Sequence, residues 1–125
     1  MSDKRELALS FARLLAEHRA EDVLVLDLGE IAGWTDFFVL ATSTSSVHLR
    51  GLSRHVEDFA SQNRIDSLNK PNPGEDQTWV LHDFGDIVVH IMGREARAFY
   101  ELEKLWHKAS AWRVESPGSA PAESL

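Results

Sequence analysis

Apolar positions along this chain switch between two spacings. Leu7, Phe11, Leu14, Leu15 and His18 recur every three to four residues, with Lys4, Arg5, Arg13 and Glu17 between them. That spacing predicts an amphipathic first helix over about Asp3 to Arg19, with Ser2 or Asp3 as its cap. Val23-Leu24-Val25-Leu26-Asp27-Leu28 is a short continuous apolar run, the mark of an internal strand. Gly29 and Gly33 bracket a turn holding Ile31, Ala32 and Trp34. Asp36-Phe37-Phe38-Val39-Leu40-Ala41-Thr42 is a second strand of the same buried kind. The hydroxyl cluster Ser43-Thr44-Ser45-Ser46 would cap a second helix, whose buried face is Leu49, Leu52, Val56, Phe59 and Ala60, ending near Gln62.

Asn69-Lys70-Pro71-Asn72-Pro73-Gly74 has the composition of a loop. A hairpin follows. One strand starts at Trp79, the polar turn is Asp83-Phe84-Gly85-Asp86, and the returning strand is Ile87 to Met92, rich in β-branched residues. The stretch from Arg94 to Trp106 is helical in pattern. Phe99, Leu102 and Trp106 form its expected core stripe, with Tyr100 and Lys104 on the adjacent one. The Ser-, Pro-, Gly- and Ala-rich tail has too little apolar content to fold. The expected organisation is one folded domain over residues 1–110 and a disordered tail over 111–125. The order helix, strand, strand, helix, strand, strand, helix predicts an α/β domain: a mixed β-sheet of about four strands covered by helices. The second helix can serve as a crossover between parallel strands. No internal repeat is visible.

At 125 residues the chain can bury a single core without disulfides or metals. It has no cysteine, which excludes thiol catalysis and cysteine zinc sites. No signal-peptide core and no bilayer-spanning run is present, so the cytoplasm is the expected location, with no membrane partner. The net charge of -7 disfavours direct phosphate contact, since nucleic-acid affinity rests on Lys and Arg. It suits a basic protein partner better, although such charge also serves solubility alone.

Asp83-Phe84-Gly85 spells the magnesium triplet of protein kinases, but a kinase also needs a Gly-rich loop, a strand lysine and a catalytic loop. The chain has none of these, and Asp and Gly are ordinary turn residues. Nucleotidyl transfer would need carboxylates gathered around magnesium beside a phosphate loop. Asp27, Asp36, Asp83 and Asp86 are the acids available near strand ends, and Ser43 to Ser46 the only candidate cradle. Hydroxyls there are more often plain caps, so an enzyme is not expected. His82, Asp83, Asp86 and His90 do not make a convincing metal cluster, because strand alternation sends His82 and Asp83 to opposite faces. His90 is expected to hydrogen-bond within or beside the sheet. No cofactor is expected.

Trp79, Leu81 and Asp83 share one face of their strand, and Val80, His82 and Phe84 the other. Trp79 reads equally well as a core or rim residue and as an interface anchor, a role in which Trp is enriched. An aromatic beside acids at a hairpin tip makes a dock for a basic protein. Tyr100 and Trp106, with polar tips, also suit an interface.

Three stretches carry a family resemblance: Ala20-Glu21-Asp22-Val23-Leu24-Val25-Leu26-Asp27, Thr35-Asp36-Phe37-Phe38-Val39-Leu40-Ala41, and Trp79 through His90 with its closing helix Arg97-Ala98-Phe99-Tyr100-Glu101-Leu102-Glu103-Lys104-Leu105-Trp106. From about Asp22 to Trp106 the chain resembles the ribosomal silencing factor (Iojap-like) family. Ser45 or Ser46, and Met92-Gly93, depart from that family's usual residues without touching the hairpin signature. The resemblance implies a sheet related to the nucleotidyltransferase fold. It also implies binding to the large ribosomal subunit at its fourteenth protein, steric exclusion of the small subunit and repression of translation under nutrient limitation. The expected ribosomal-protein-binding residues are Trp79, Leu81, Asp83, Phe84, Gly85, Asp86, Tyr100, Lys104 and Trp106. The β-strand edge or the hairpin would supply backbone hydrogen bonds. A homodimer through the same apolar hairpin is compatible with this reading. The alternative is a small nucleotidyltransferase-like enzyme or nucleotide-binding module.

Overall fold

Each residue of the strand Phe37–Ser43 is buried, and the sheet is built outward from it. The computed structural model describes residues 3–29, 33, 35–70, 78–100, 104 and 110–114, the side chains of Asp3 and Tyr100 excepted. The elements in chain order are α1 (Asp3–Glu17), β1 (Glu21–Asp27), β2 (Phe37–Ser43), α2 (Ser46–Gln62), β3 (Trp79–Asp83), β4 (Ile87–Gly93), α3 (Arg94–Tyr100) and β5 (Ser110–Val114). The strands lie in the order β3-β4-β2-β1-β5. β2 and β4 pair in parallel, with α2 as the crossover element, and the other three pairings are antiparallel.

The continuous apolar runs are explained by burial on both faces. On one face Val23, Val25, Phe37, Val39, Ala41, Val80, Ile87, Val89 and Ile91 pack against the two long helices. On the other, Leu24, Leu26, Leu28, Phe38, Leu40, Val88 and Met92 form a second cluster with Trp79, Leu81 and Ala96 of α3. The buried stripe of α1 is centred on Ala8, Phe11, Ala12, Leu15 and Ala16. Leu7 and Leu14 only flank it. Small alanines along the stripe let the helix lie close to the sheet.

Three expectations change. The sheet has a fifth strand, and it falls where the disordered tail was expected to begin. Ser110–Val114 pairs with β1 because Trp112 and Val114 alternate onto the helix-side core and the Arg5 guanidinium sits 4.3 Å over the Trp112 ring. Residues 115–125 lie outside the described residues. Phe99 is not core: it is 79% exposed on α3. Ala96 takes the inward position, which turns Phe99 away from the sheet. Leu102 and Trp106, the rest of that stripe, lie outside the described residues, as do Ile31, Ala32, Trp34 and the loop residues Pro71 to Gly74.

Both long helices end in the same way. Ala20 N–H bonds Leu15 O and Ile65 N–H bonds Ala60 O, a Schellman closure that puts Arg19 (φ 71°) and Arg64 (φ 58°) in the left-handed region. An L residue there is strained by about 1 kcal/mol relative to glycine. Arg64→Gly is therefore expected to raise stability by about 0.5–1 kcal/mol, a few degrees in thermal unfolding. An unchanged or lower melting temperature would show that the Arg64 side chain contributes more than its backbone strain.

Candidate functional site

The hairpin turn is held by its own side chains. The Asp83 carboxylate accepts from Gly85 N–H at 2.9 Å, and Phe84 N–H donates to Ile87 O at 2.9 Å. Gly85 has φ +88°, a conformation that glycine alone adopts easily. The triplet Asp83-Phe84-Gly85 is thus a turn device. Asp86 O accepts from both Asp36 N–H (2.9 Å) and Phe37 N–H (3.0 Å), which ties the tip to the start of β2. Lys4 of α1 reaches the same place, 3.2 Å from the Asp86 carboxylate and 3.4 Å from that of Asp36. The two acids, Asp86 foremost, hold the exposed Lys4 ammonium above its usual pKa.

The proposed docking residues divide between the two faces. Trp79 and Leu81 are half-buried on the α3 side of the sheet. Trp79 is therefore both packed and partly accessible, and its indole N–H donates to His90 Nδ1 at 3.1 Å. His90 had been expected to bond within the sheet, and Trp79 is its partner; nothing in the spacing singled out that pair. The His90 ring also meets Phe38 edge-on at 4.5 Å. Phe84 turns to the other side. Its ring stacks on Phe11 at 5.1 Å, so it belongs to the helix-side core more than to a dock with Trp79. His82 points to that side as well, 2.8 Å from Ser53 Oγ of α2, opposite in direction to Trp79 and Leu81. Lys104 is exposed, and the Tyr100 side chain and Trp106 lie outside the described residues.

The outer edge of β3 is already occupied. The Asn69 side chain donates to Leu81 O at 2.7 Å and accepts from Asp83 N–H at 3.0 Å, while Leu68 N–H donates to Asp83 O at 2.7 Å. The Asn69 amide and Leu68 N–H thus take three of the backbone groups that an added strand would use. A partner adding backbone hydrogen bonds at Leu81 and Asp83 would have to displace Asn69.

Registry separates the four candidate aspartates from the hydroxyls. Asp27 lies opposite Phe37, Phe37 opposite Ile87, and Asp83 opposite Val88, so Asp27, Asp36, Asp83 and Asp86 share one end of the sheet. Ser43 and Gly93 close the other end. Six residues of strand put these ends about 20 Å apart. Nucleotidyl transfer needs its carboxylates and its phosphate cradle in one place, and these four aspartates lie at the end away from the hydroxyls. At the hydroxyl end a recess of about 510 Å³ is lined by Ser43 to Ser46, Thr78, Gly93 and Arg94. Two of its groups are engaged: Ser45 Oγ caps α2 by accepting from His48 N–H, and Arg94 pairs with Glu21 through two bonds of 2.9 and 2.7 Å. Among the described residues no group of three His, Asp or Glu is placed to hold a metal ion.

A profile of the family described as ribosomal silencing factor during starvation matches residues 1–124. The chain belongs to the ribosomal silencing factor family. The ribosomal silencing factor of Bacillus subtilis is 37% identical over 93 residues, 74% of this chain and 78% of that protein. A mouse protein named mitochondrial assembly of ribosomal large subunit protein 1 is 34% identical over 95 residues, which make up 74% of this chain and 42% of that longer protein. A crystal structure of a Chromobacterium violaceum protein shares the fold with a TM-score of 0.74 at 23% identity, covering 91% of this chain and 95% of that one. The family named on the strength of the hairpin, and the mixed α/β sheet flanked by helices, are both what is found.

Two histidines of this family member's sheet lie in apolar surroundings. Burial lowers the pKa of both His82 and His90 to about 4. An unfolded histidine titrates near 6.5, so below that pH the unfolded chain binds more protons than the folded one and stability falls as pH falls. Between pH 6 and pH 5 the two together should remove about 2 kcal/mol. Chemical unfolding at the two pH values measures this, and His90→Leu should reduce the loss by about 1 kcal/mol. A pH-independent midpoint over that range would refute the neutral, buried state of both rings.

Proposed function

We propose that this protein binds the large ribosomal subunit at its fourteenth protein, excludes the small subunit sterically and represses translation under nutrient limitation. The observation that carries this reading is the family match over residues 1–124. The name of the mouse relative, which refers to assembly of a large ribosomal subunit, supports the choice of subunit. The protein acts in the cytoplasm by occupying a surface, not by chemistry. The contact runs along β3, from Trp79 and Leu81 to the tip residues Asp83, Gly85 and Asp86, with Phe84 bracing the tip; Tyr100, Lys104 and Trp106 are assigned to it from the sequence. Acids gathered at one end of the sheet suit a basic ribosomal protein. Self-association through the same strip would compete with ribosome binding, and a homodimer made by pairing β3 edges would have to displace Asn69.

Gradient sedimentation of both purified subunits tests the function. Added protein should deplete the joined ribosome and move with the large subunit. An undiminished joined peak at saturating protein would sink the proposal. Trp79→Ala should weaken binding by about 2 kcal/mol if Trp79 is a hot spot. Asp83→Lys and Asp86→Lys should weaken it by charge reversal. Each variant is read beside its thermal unfolding, since Trp79 is half-buried and Asp83 holds the turn. Normal binding by three folded variants would place the contact elsewhere on the molecule.

A further inference from the structure

His90 is an uneconomical residue where it stands. It lies in β4 opposite Leu81 on one side and Leu40 on the other, with Val88 and Met92 as its neighbours on the same face. It is 4% exposed. Tryptophan can only donate, so the bond from Trp79 Nε1–H makes His90 Nδ1 the acceptor and leaves the proton on Nε2. That Nε2–H has no hydrogen-bond partner among the described residues. A buried unpaired donor destabilises a fold, and leucine or valine would satisfy this apolar face better. A stability loss accepted at one position calls for a local reason. The only polar contact shown for this ring is with the Trp79 indole.

We propose that His90 is a positioning residue for ribosome docking: through its bond to the indole N–H it holds Trp79 in the orientation that the partner meets. The proposal rests on the docking reading of the hairpin given above. Trp79 stands on the edge strand, the place in a sheet with fewest neighbours to fix a side chain. A large aromatic ring that is immobilised before the encounter loses less freedom on binding, which is the general advantage of a pre-organised anchor. The two residues are diagonal neighbours across the β3–β4 pair, since Trp79 lies opposite Met92 and His90 opposite Leu81. Sheet geometry alone therefore brings the acceptor within reach of the ring.

Three variants of the full chain test this against purified large subunits, with thermal unfolding and hydrogen exchange of the Trp79 indole N–H measured by NMR. His90→Leu removes the acceptor and the unpaired donor together. It should melt at or above the parent temperature, expose the indole N–H to faster exchange and bind roughly three- to tenfold more weakly, the worth of one net hydrogen bond. His90→Asn keeps an oxygen acceptor at the position of Nδ1. It should melt lower, yet recover most of the affinity and of the indole protection. A purely structural His90 would make affinity follow melting temperature, and that pattern overturns the proposal. Parent-like binding by His90→Leu alongside lost binding by Trp79→Ala also overturns it, while leaving the docking reading intact. Parent-like binding by a folded Trp79→Ala removes the docking role of the tryptophan, and the positioning role of His90 with it.

Discussion

Seven residues of β2 run in parallel register with β4, from Phe37 opposite Ile87 to Ser43 opposite Gly93. Both strands are buried on both faces, which only a sheet covered on two sides allows. The crossover through α2 that this parallel pairing demands brings β3 back as a hairpin partner of β4 at the sheet edge. The position of the hairpin therefore follows from the central pair. So does its anchoring, because the Asp86 carbonyl accepts two N–H groups from the start of β2.

The same pairing gives the sheet two unlike ends. Aspartates from β1, from the lead into β2 and from the hairpin collect at one end with Lys4 among them, while the hydroxyls of Ser43 to Ser46 lie at the other. These four aspartates and the capping hydroxyls cannot meet over one substrate. What remains at the acidic end is a charged surface on a rigid tip, which suits recognition of a basic protein more than group transfer.

An open edge invites pairing with any other strand. Here Asn69 and Leu68 occupy its backbone groups at Leu81 and Asp83, so the strand can present side chains without presenting an open ladder. On the face away from the long helices, Trp79 is held by His90; on the face toward them, Phe84 and His82 are held by Phe11 and Ser53. The hairpin is thus fixed by its own His90, by Asn69 just before it, and by Phe11 and Ser53 of the two long helices.

The chain's own pattern determined the helices, the first four strands, the turn at Asp83 to Asp86 and the family, because these depend on neighbours in sequence: periodicity, caps and turn residues act over a few positions. The alternation of Trp79 and His82 to opposite faces was equally legible, since it follows from strand geometry alone. The fifth strand was not, because Ser110 to Val114 is a strand only where β1 offers an edge and Arg5 a cover for Trp112. Phe99 faces away from the core because α3 is oriented by where Ala96 meets the sheet, not by its aromatic spacing. The bonds from Asn69 to Leu81 and from Trp79 to His90 join residues 12 and 11 positions apart through side chains. Only the folded sheet decides such contacts, because a one-residue change of register would send each side chain to the other face.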